Sequence, residues 1–191
     1  MRRQVGEKRV SGDVMGLREQ FLRLARYNRW ANDRLFAAVR QLSPHDFRAP
    51  HDGFFGSICG TLNHLYVGDR CWLARFEGLP VPHRGLDEVP HQLAEHLWAA
   101  RQVEDHRILR LMTEMPEARY ADTLTYRSMA NGQELTLPMD LAVLHFFNHQ
   151  THHRGQAHAM LSGTTVAPPP LDLSFFHPED QAAVTARVAT I

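Results

Sequence analysis

Apolar residues recur at helical spacing through the first part of the chain, after a short polar start. From about Leu17 to Gln41 they return every three or four positions, and this stretch contains neither glycine nor proline. Such a pattern predicts one long amphipathic helix. Ser43-Pro44 follows it, and serine before proline is typical of the cap and first turn of a further helix.

Two more long helices are predicted in the middle of the chain. Ser57 suits the N-cap of a second long helix, which is expected to run to about Phe76 before Gly78 ends it. Apolar residues at helical spacing predict a third long helix from about Pro90 to Met115. The residues expected to open this helix are Asp87 or Glu88.

A change of pattern precedes the last helix. Leu124–Tyr126 and Leu135–Leu137 flank Asn131-Gly132, a dipeptide suited to the positive φ angles of a tight hairpin turn. Pro138 can occupy the first turn of a long fourth helix, and Gly163 supplies a stop after it. We therefore predict a short β-hairpin followed by the fourth long helix.

Four long helices in a chain of this length predict an all-α domain, a four-helix bundle with a short β-hairpin before its last helix. The predicted division is a flexible N-terminal extension at 1–16, the bundle at 17–163, and an extended C-terminal tail at 164–191. The tail contains Pro168-Pro169-Pro170. Bundle cores are common places for metal sites.

Composition excludes several classes of partner. Lysine plus arginine and aspartate plus glutamate each total 21, so no large field of one sign is available to bind nucleic acid or an anionic membrane. We find no signal-peptide core and no apolar run of membrane-spanning length. Two cysteines without a Cys-x-x-Cys pair agree with a reducing compartment. A cytoplasmic protein is expected.

Histidines step by four along the predicted last helix, where His145, His149 and His153 share one face. Two neutral imidazoles at i and i+4 can chelate one ion, because Cβ atoms about 5–6 Å apart let both rings converge. The chain contains 13 histidines, and random placement would give roughly one such pair. From spacing alone, core or surface histidines bonded to carbonyls and water stay an alternative to metal ligands.

His64 in the second long helix is the leading candidate for a third ligand. Its helix face also carries Gly60, Gly68 and Cys71. Glycine inside a helix costs about 1 kcal/mol relative to alanine, so either a cavity or close helix packing would explain this pair of glycines. Taken alone, His64 also fits a hydrogen-bonded core histidine, and Cys71 fits either a thiolate ligand or a buried structural thiol.

Three motifs resemble those of a known family. Tyr27–Leu35 looks like a first-helix signature, Leu62–Leu65 with Asp69 and Trp72 looks like a second, and Asn148–Gln156 resembles the most diagnostic segment. Their order and content are similar to those of the DinB-like (damage-inducible, YfiT-like) metalloproteins. The resemblance spans about 17–163, most of the chain.

The resemblance implies an up-down-down-up four-helix bundle in which His64, His149 and His153 bind one divalent ion and leave a coordination position open. Zinc or nickel is preferred, with iron or manganese as alternatives. The resemblance further implies a metal-dependent enzyme acting on a small molecule, either a transferase that uses a low-molecular-weight thiol or a hydrolase. A non-catalytic metal-binding or stress-response protein is the alternative.

Further residues are candidates for the pocket around such a site. Gln156 and His145 lie near the ligands on the fourth helix, and Asn28 and Asn32 share a face of the first helix that could line the pocket mouth. Asparagines in such positions also tie helices together. Arg154 lies off the ligand face, which favours an ion pair or interface contact over catalysis.

A second apolar face on the second and fourth long helices predicts a symmetric homodimer, because apolar residues around much of a helix imply burial on both sides. A hairpin or tail that covers this face is the alternative. The residues concerned are Leu62, Leu65, Tyr66, Leu73, Leu144, Phe147 and Gly155.

Overall fold

The computed structural model describes residues 15–177, 180 and 182–184, and it consists mainly of four long helices with one hairpin. The predicted four-helix bundle with a hairpin before its last helix is thus confirmed. In chain order the helices are α1 (Leu17–Val39), α2 (Pro44–Arg48), α3 (Ile58–Glu77), α4 (Ala94–Glu114) and α5 (Met139–Leu161), the strands are β1 (Thr123–Arg127) and β2 (Glu134–Pro138), and two short 3-10 helices span Glu117–Ala121 and Leu173–Phe175.

Local capping explains where several helices begin and end. The Ser57 side chain accepts a hydrogen bond from the Gly60 backbone N–H and so caps α3. Gly78 ends that helix in the left-handed conformation, with φ of 69°, which glycine adopts at no steric cost. Ser43 caps α2 through the Asp46 N–H. These boundaries agree with the sequence pattern.

The third long helix begins later than predicted. It starts at Ala94 rather than Pro90, with Leu93 at the N-cap, and neither Asp87 nor Glu88 caps it. Residues 79–93 instead form a loop that α3 holds in place. The Asn63 side chain accepts from the His91 N–H at 3.0 Å and donates to the His91 carbonyl at 2.8 Å. These two bonds hold the chain in an irregular loop where helix was expected.

The hairpin agrees with the prediction in its strands and differs in its loop. β1 and β2 pair antiparallel, with Leu124 opposite Leu137. The connection is longer than a two-residue turn, because the Ser128 N–H donates to the Gln133 carbonyl at 2.7 Å. Gly132 has a φ of 70°, so it supplies the positive φ that the Asn-Gly pair indicated.

The long helices pack so that α1 lies against α4 and α5, and α3 lies against the same two helices. The apolar core falls into two clusters along the bundle. Phe176, from the predicted tail, packs on Tyr27 and Trp30 of α1 in the first cluster, with ring centroids 6.0 and 5.6 Å apart. The division of the chain at 17 and 163 stays a prediction, and residues 1–14 of the predicted extension lie outside the described residues.

The apolar face behind the dimer prediction is largely covered within one chain, which corrects its premise. Leu62 and Leu65 pack in one core cluster with Leu97 of α4, and Tyr66 lies under the rings of His83 and His91. Leu73 and Phe147 are also buried, whereas Leu144 and Gly155 are exposed. The covering elements of Leu62, Leu65 and Tyr66 are α4 and the 79–93 loop. Leu73 and Phe147 belong to the other core cluster, which includes Leu124 of the hairpin and Phe176 of the predicted tail, so the alternative of a hairpin or tail over this face fits that part. The homodimer itself stays a prediction, which sedimentation at micromolar concentration tests.

Among the described residues, no helix combines the length and apolar character needed to cross a bilayer.

Candidate metal centre

Three histidines converge between α3 and α5. His64 comes from α3, and His149 and His153 lie one turn apart on α5. Within the described chain this is the one group of three or more histidine, cysteine or acidic side chains that could hold a metal ion, and its ligand atoms all lie within 4.8 Å of one another. The ring centroids of His64 and His153 are 4.5 Å apart, and those of His149 and His153 are 4.4 Å apart.

Hydrogen bonds on the outer side fix two of these rings. The His64 Nδ1–H donates to the Leu86 carbonyl at 2.8 Å, and the His153 Nδ1–H donates to Gln156 Oε1 at 2.8 Å. A proton on Nδ1 leaves a lone pair on Nε2, which is the atom that a metal ion requires. The 79–93 loop and the next turn of α5 therefore orient the ligands.

The donor set fits a divalent ion. His64 Nε2 and His149 Nε2 lie 3.2 Å apart, close to the separation of about 3.3 Å that two nitrogens have on a tetrahedral ion at about 2.0–2.1 Å. Two lone pairs facing each other at this distance repel unless a proton or a cation lies between them. His149 Nδ1 is buried without a hydrogen-bond partner, so no outer acceptor holds a proton on that nitrogen.

An aromatic ring closes one side of the cluster. Phe55, in the loop before α3, stacks on His64 with ring centroids 3.9 Å apart and meets His153 edge-on at 5.5 Å. Gly60 lets this loop approach, since a Cβ there would lie 2.2 Å from the Phe55 carbonyl oxygen. Of the two alternatives for Gly60, a cavity or close packing, the structure favours close packing, since Gly60 does not line the cavity described below.

The other side of the cluster opens into a cavity of about 140 Å³. His64 and His149 form part of its wall, and a Cβ on Gly68 would lie 3.3 Å from His149 Cε1. Further residues of α3 and α5, the hairpin and the 79–93 loop supply the remainder of the wall. The other lining residues are Cys71, Trp72, Arg75, Leu86, Tyr126, Ser128, Met129, Ala130 and His145.

The chain is similar to known proteins over most of its length. A model of the DinB family matches residues 15–183. The chain belongs to the DinB family. Protein DinB of Bacillus subtilis (strain 168) is similar, with 27% identity over 161 residues that cover 81% of this chain and 91% of that protein. The resemblance seen in the three motifs is confirmed.

The structure distributes the predicted pocket residues of this DinB chain unequally. His145, Gly68 and Cys71 line the cavity beside the cluster. Cys71 is outside the three-histidine group, and burial raises the pKa of its thiol, so it fits a structural thiol better than a ligand. Gln156 lies behind His153 and orients its ring.

Asn28 and Asn32 do not line the cavity mouth, which corrects that prediction. Both are buried in a polar network, where they donate to the Asp105 carboxylate at 3.3 and 3.0 Å. Arg154 donates to their amide oxygens at 2.6 and 3.3 Å. They tie helices together, as the alternative interpretation held, and Arg154 makes a buried polar contact away from the ligand face.

The same network continues to the helices that carry the histidines. Arg101 of α4 pairs with Asp69 of α3, and its Nε lies 3.1 Å from Asp105 Oδ1. Gln150 of α5 donates to Asp69 Oδ1 at 2.9 Å. Asp69 directly follows Gly68, and Gln150 directly follows His149. The network thus joins α3 to α5 beside the metal centre.

Burial keeps the cluster uncharged. It lowers the pKa of His64 to about 4 and that of His149 to about 3, with the neighbouring histidines adding to the shift in both cases. It also lowers the pKa of His153. All three imidazoles are therefore neutral at pH 7, and neutral imidazole is the form that binds metal.

We expect the metal-free protein to lose stability as pH falls from 7 to 4. Because the folded pKa of His64 lies below the unfolded value of 6.5, the unfolded state binds more protons in this range, and one such group contributes up to about 1.4 kcal/mol per pH unit. Urea unfolding at stepped pH measures the slope. In a His64→Asn variant the slope should be smaller, whereas the exposed His96→Asn should keep it; equal slopes in all three proteins would contradict the buried neutral histidine.

Several residues of the site carried no sequence signal. Phe55 and Leu86 lie in loops, and Tyr126 and Arg75 meet only because the hairpin folds over α3. The one hint was spacing: Arg75 is three turns after His64 on the same helix, which places it along the same side of α3.

Proposed function

We propose that this DinB protein is a metal-dependent enzyme that acts on a small molecule, by thiol transfer or by hydrolysis. The observation that carries the proposal is that two members of the three-histidine cluster, His64 and His149, line a cavity of about 140 Å³. Structural metal sites are closed by protein ligands, whereas catalytic sites keep one position open. Phe55 covers the opposite side of His64, so the cavity is the side from which a substrate reaches the site.

His64, His149 and His153 would hold one divalent ion, with zinc or nickel preferred and iron or manganese as alternatives. When bound, such an ion lowers the pKa of a coordinated thiol or water, so that the nucleophile exists at neutral pH. In the thiol-transfer form of the proposal, a low-molecular-weight cellular thiol is the cosubstrate.

His145 is the candidate proton acceptor. It lines the cavity, one turn before His149, with the two ring centroids 5.8 Å apart. Burial and the nearby Arg75 charge lower the pKa of His145, so its imidazole is neutral at pH 7 and has a free lone pair. An imidazole in this state can take the proton that a thiol or water releases.

A non-catalytic metal-binding or stress-response protein is the second candidate. One observation favours it: no aspartate or glutamate lines the cavity among the described residues, whereas many metal-dependent hydrolases place a carboxylate base beside their ligands. The thiol-transfer form needs no such base if His145 accepts the proton.

A turnover assay separates the two functions. Protein is loaded with zinc or nickel and mixed with a panel of cellular thiols and electrophilic small molecules, beside the chelator-stripped protein and a His145→Gln variant. We expect metal-dependent consumption of thiol, lowered by about 10²-fold or more in the variant, as loss of a general base typically causes. Metal-loaded protein that binds its ion but stays inert with every thiol and in hydrolysis assays would support the non-catalytic function.

A further inference from the structure

Arg75 is a half-buried cation without a carboxylate partner. Within the described part of the chain no aspartate or glutamate oxygen lies within 4.0 Å of its guanidinium, whereas the half-buried arginines 26, 70 and 107 each have one. Its Nε is buried and has no hydrogen-bond partner. Its one hydrogen bond is a long contact of 3.5 Å from Nη2 to the Arg127 carbonyl. Donor capacity is therefore left over.

Two aromatic rings hold this side chain in place. The guanidinium carbon lies 4.8 Å from the ring centroid of Trp72 and 4.6 Å from that of Tyr126. Stacked guanidinium groups keep their N–H edge free for a planar anion. The position is therefore ordered before any ligand arrives, which lowers the entropy cost of binding.

The charge of the cavity has one sign. Arg75 lines it together with His64, His149 and His145, and no aspartate or glutamate is among the described lining residues. Glu88, whose charge acts on Cys71 of the cavity wall, accepts hydrogen bonds from the Arg84 and Gly85 N–H groups and from His83. An unpaired cation in a cavity without acidic lining residues favours an anionic group beside it.

We propose that Arg75 anchors the carboxylate of a small organic acid in the cavity, with the remainder of that molecule directed toward the three histidines. A carboxylate matches the guanidinium edge with two parallel hydrogen bonds. The cavity of about 140 Å³ resembles in size the protein cavity of about 150 Å³ that holds benzene. The substrate class is thus a small organic carboxylate, and this assignment rests on the proposed function at the same cavity.

Binding of benzoate and of its neutral isostere benzamide tests the proposal. Titration calorimetry is run on the protein as purified and after chelator treatment, so that coordination to a metal ion is separated from binding at Arg75. We expect benzoate to bind at least about tenfold more tightly than benzamide in both forms, as a charge-assisted hydrogen bond predicts. In Arg75→Gln this preference should fall to about twofold or less.

Two further variants keep the result interpretable. Arg127→Gln removes the same charge from the adjacent hairpin, where the side chain does not line the cavity, and it should keep the preference for benzoate. Arg75→Lys retains the charge and should keep part of the preference for benzoate. This variant also serves if Arg75→Gln fails to fold. Equal binding of the two probes, no binding of either, or an unchanged preference in Arg75→Gln would overturn the carboxylate assignment.

This test is separable from that of the proposed function. Carboxylate binding that depends on Arg75 in an enzyme without turnover supports the anchor and counts against catalysis. Turnover without any carboxylate preference supports catalysis and removes the anchor.

Discussion

Replacing His149 by alanine is expected to abolish stoichiometric metal binding. His149 contacts both of the other ligands, with its Nε2 3.2 Å from that of His64 and its ring centroid 4.4 Å from that of His153. Without it two donors remain, on different helices. Loss of an outer-shell partner alone typically costs 10–100-fold in affinity, so loss of a ligand should cost more than about 100-fold. Elemental analysis should give about one zinc or nickel per wild-type chain and less than about 0.1 in the variant.

The control for this result is the third histidine of the same helix face. His145 is one turn from His149 and lines the cavity, but it is outside the three-histidine group. His145→Ala should therefore keep its ion, with an affinity in chelator competition that lies within about tenfold of wild type. Equal loss in both variants would mean that the helix face as a whole, and not the cluster, determines binding.

A second control addresses the neighbouring residue. His152 is exposed and directly precedes His153, so the two could in principle exchange roles. The hydrogen bond from His153 Nδ1 to Gln156 orients His153 toward the cluster. His152→Ala should keep one ion per chain. If His153→Ala retains the metal and His152→Ala loses it, the ligand is His152 and not His153.

The helices and the histidine pair were predictable because their signals are local. Periodicity predicted the four long helices, and helix geometry placed His149 and His153 on one face. Capping signals are equally local, which is why Ser57 and Gly78 marked the ends of α3 correctly. The predicted start of α4 was wrong for the opposite reason. Asn63 bonds to His91 across 28 residues of sequence, and no local pattern indicates that bond.

The cavity was beyond prediction because its walls come from distant segments. Leu86 orients His64 from 22 residues away, and Tyr126 covers Arg75 from a hairpin whose placement depends on the packed bundle. The homodimer stays a prediction, but its premise of an uncovered apolar face needed correction for a related reason. Apolar residues around α3 indicated burial on two sides, and helix α4 with the 79–93 loop supplies the second side within the chain.

Removing the buried Arg101 is expected to cause the largest loss of stability. Its side chain pairs with Asp69 and Asp105, and all three residues are at most 3% exposed. Arg101→Met would leave two carboxylates inside the bundle without their cation. Removal of one partner from a buried ion pair typically costs about 3–5 kcal/mol, because the remaining charge is not compensated. Urea unfolding at pH 7 measures the change, and the exposed Arg119→Gln should alter the free energy of unfolding by less than about 1 kcal/mol.

A pH series and a double variant test whether the stability loss of Arg101→Met comes from uncompensated charge or from lost packing. We expect uncompensated charge. Burial already raises the pKa of Asp105 to about 7, against the attraction of Arg101, so removal of the arginine raises it further. Protonation of Asp105 then removes the uncompensated charge in the variant. The difference in free energy of unfolding between wild type and variant should therefore shrink as pH falls from 8 to 5. Asp105→Asn in the Arg101→Met background removes one excess charge and should recover part of the loss at pH 8. A deficit that is independent of pH and unaffected by the second substitution would instead assign the cost to the volume of the missing side chain.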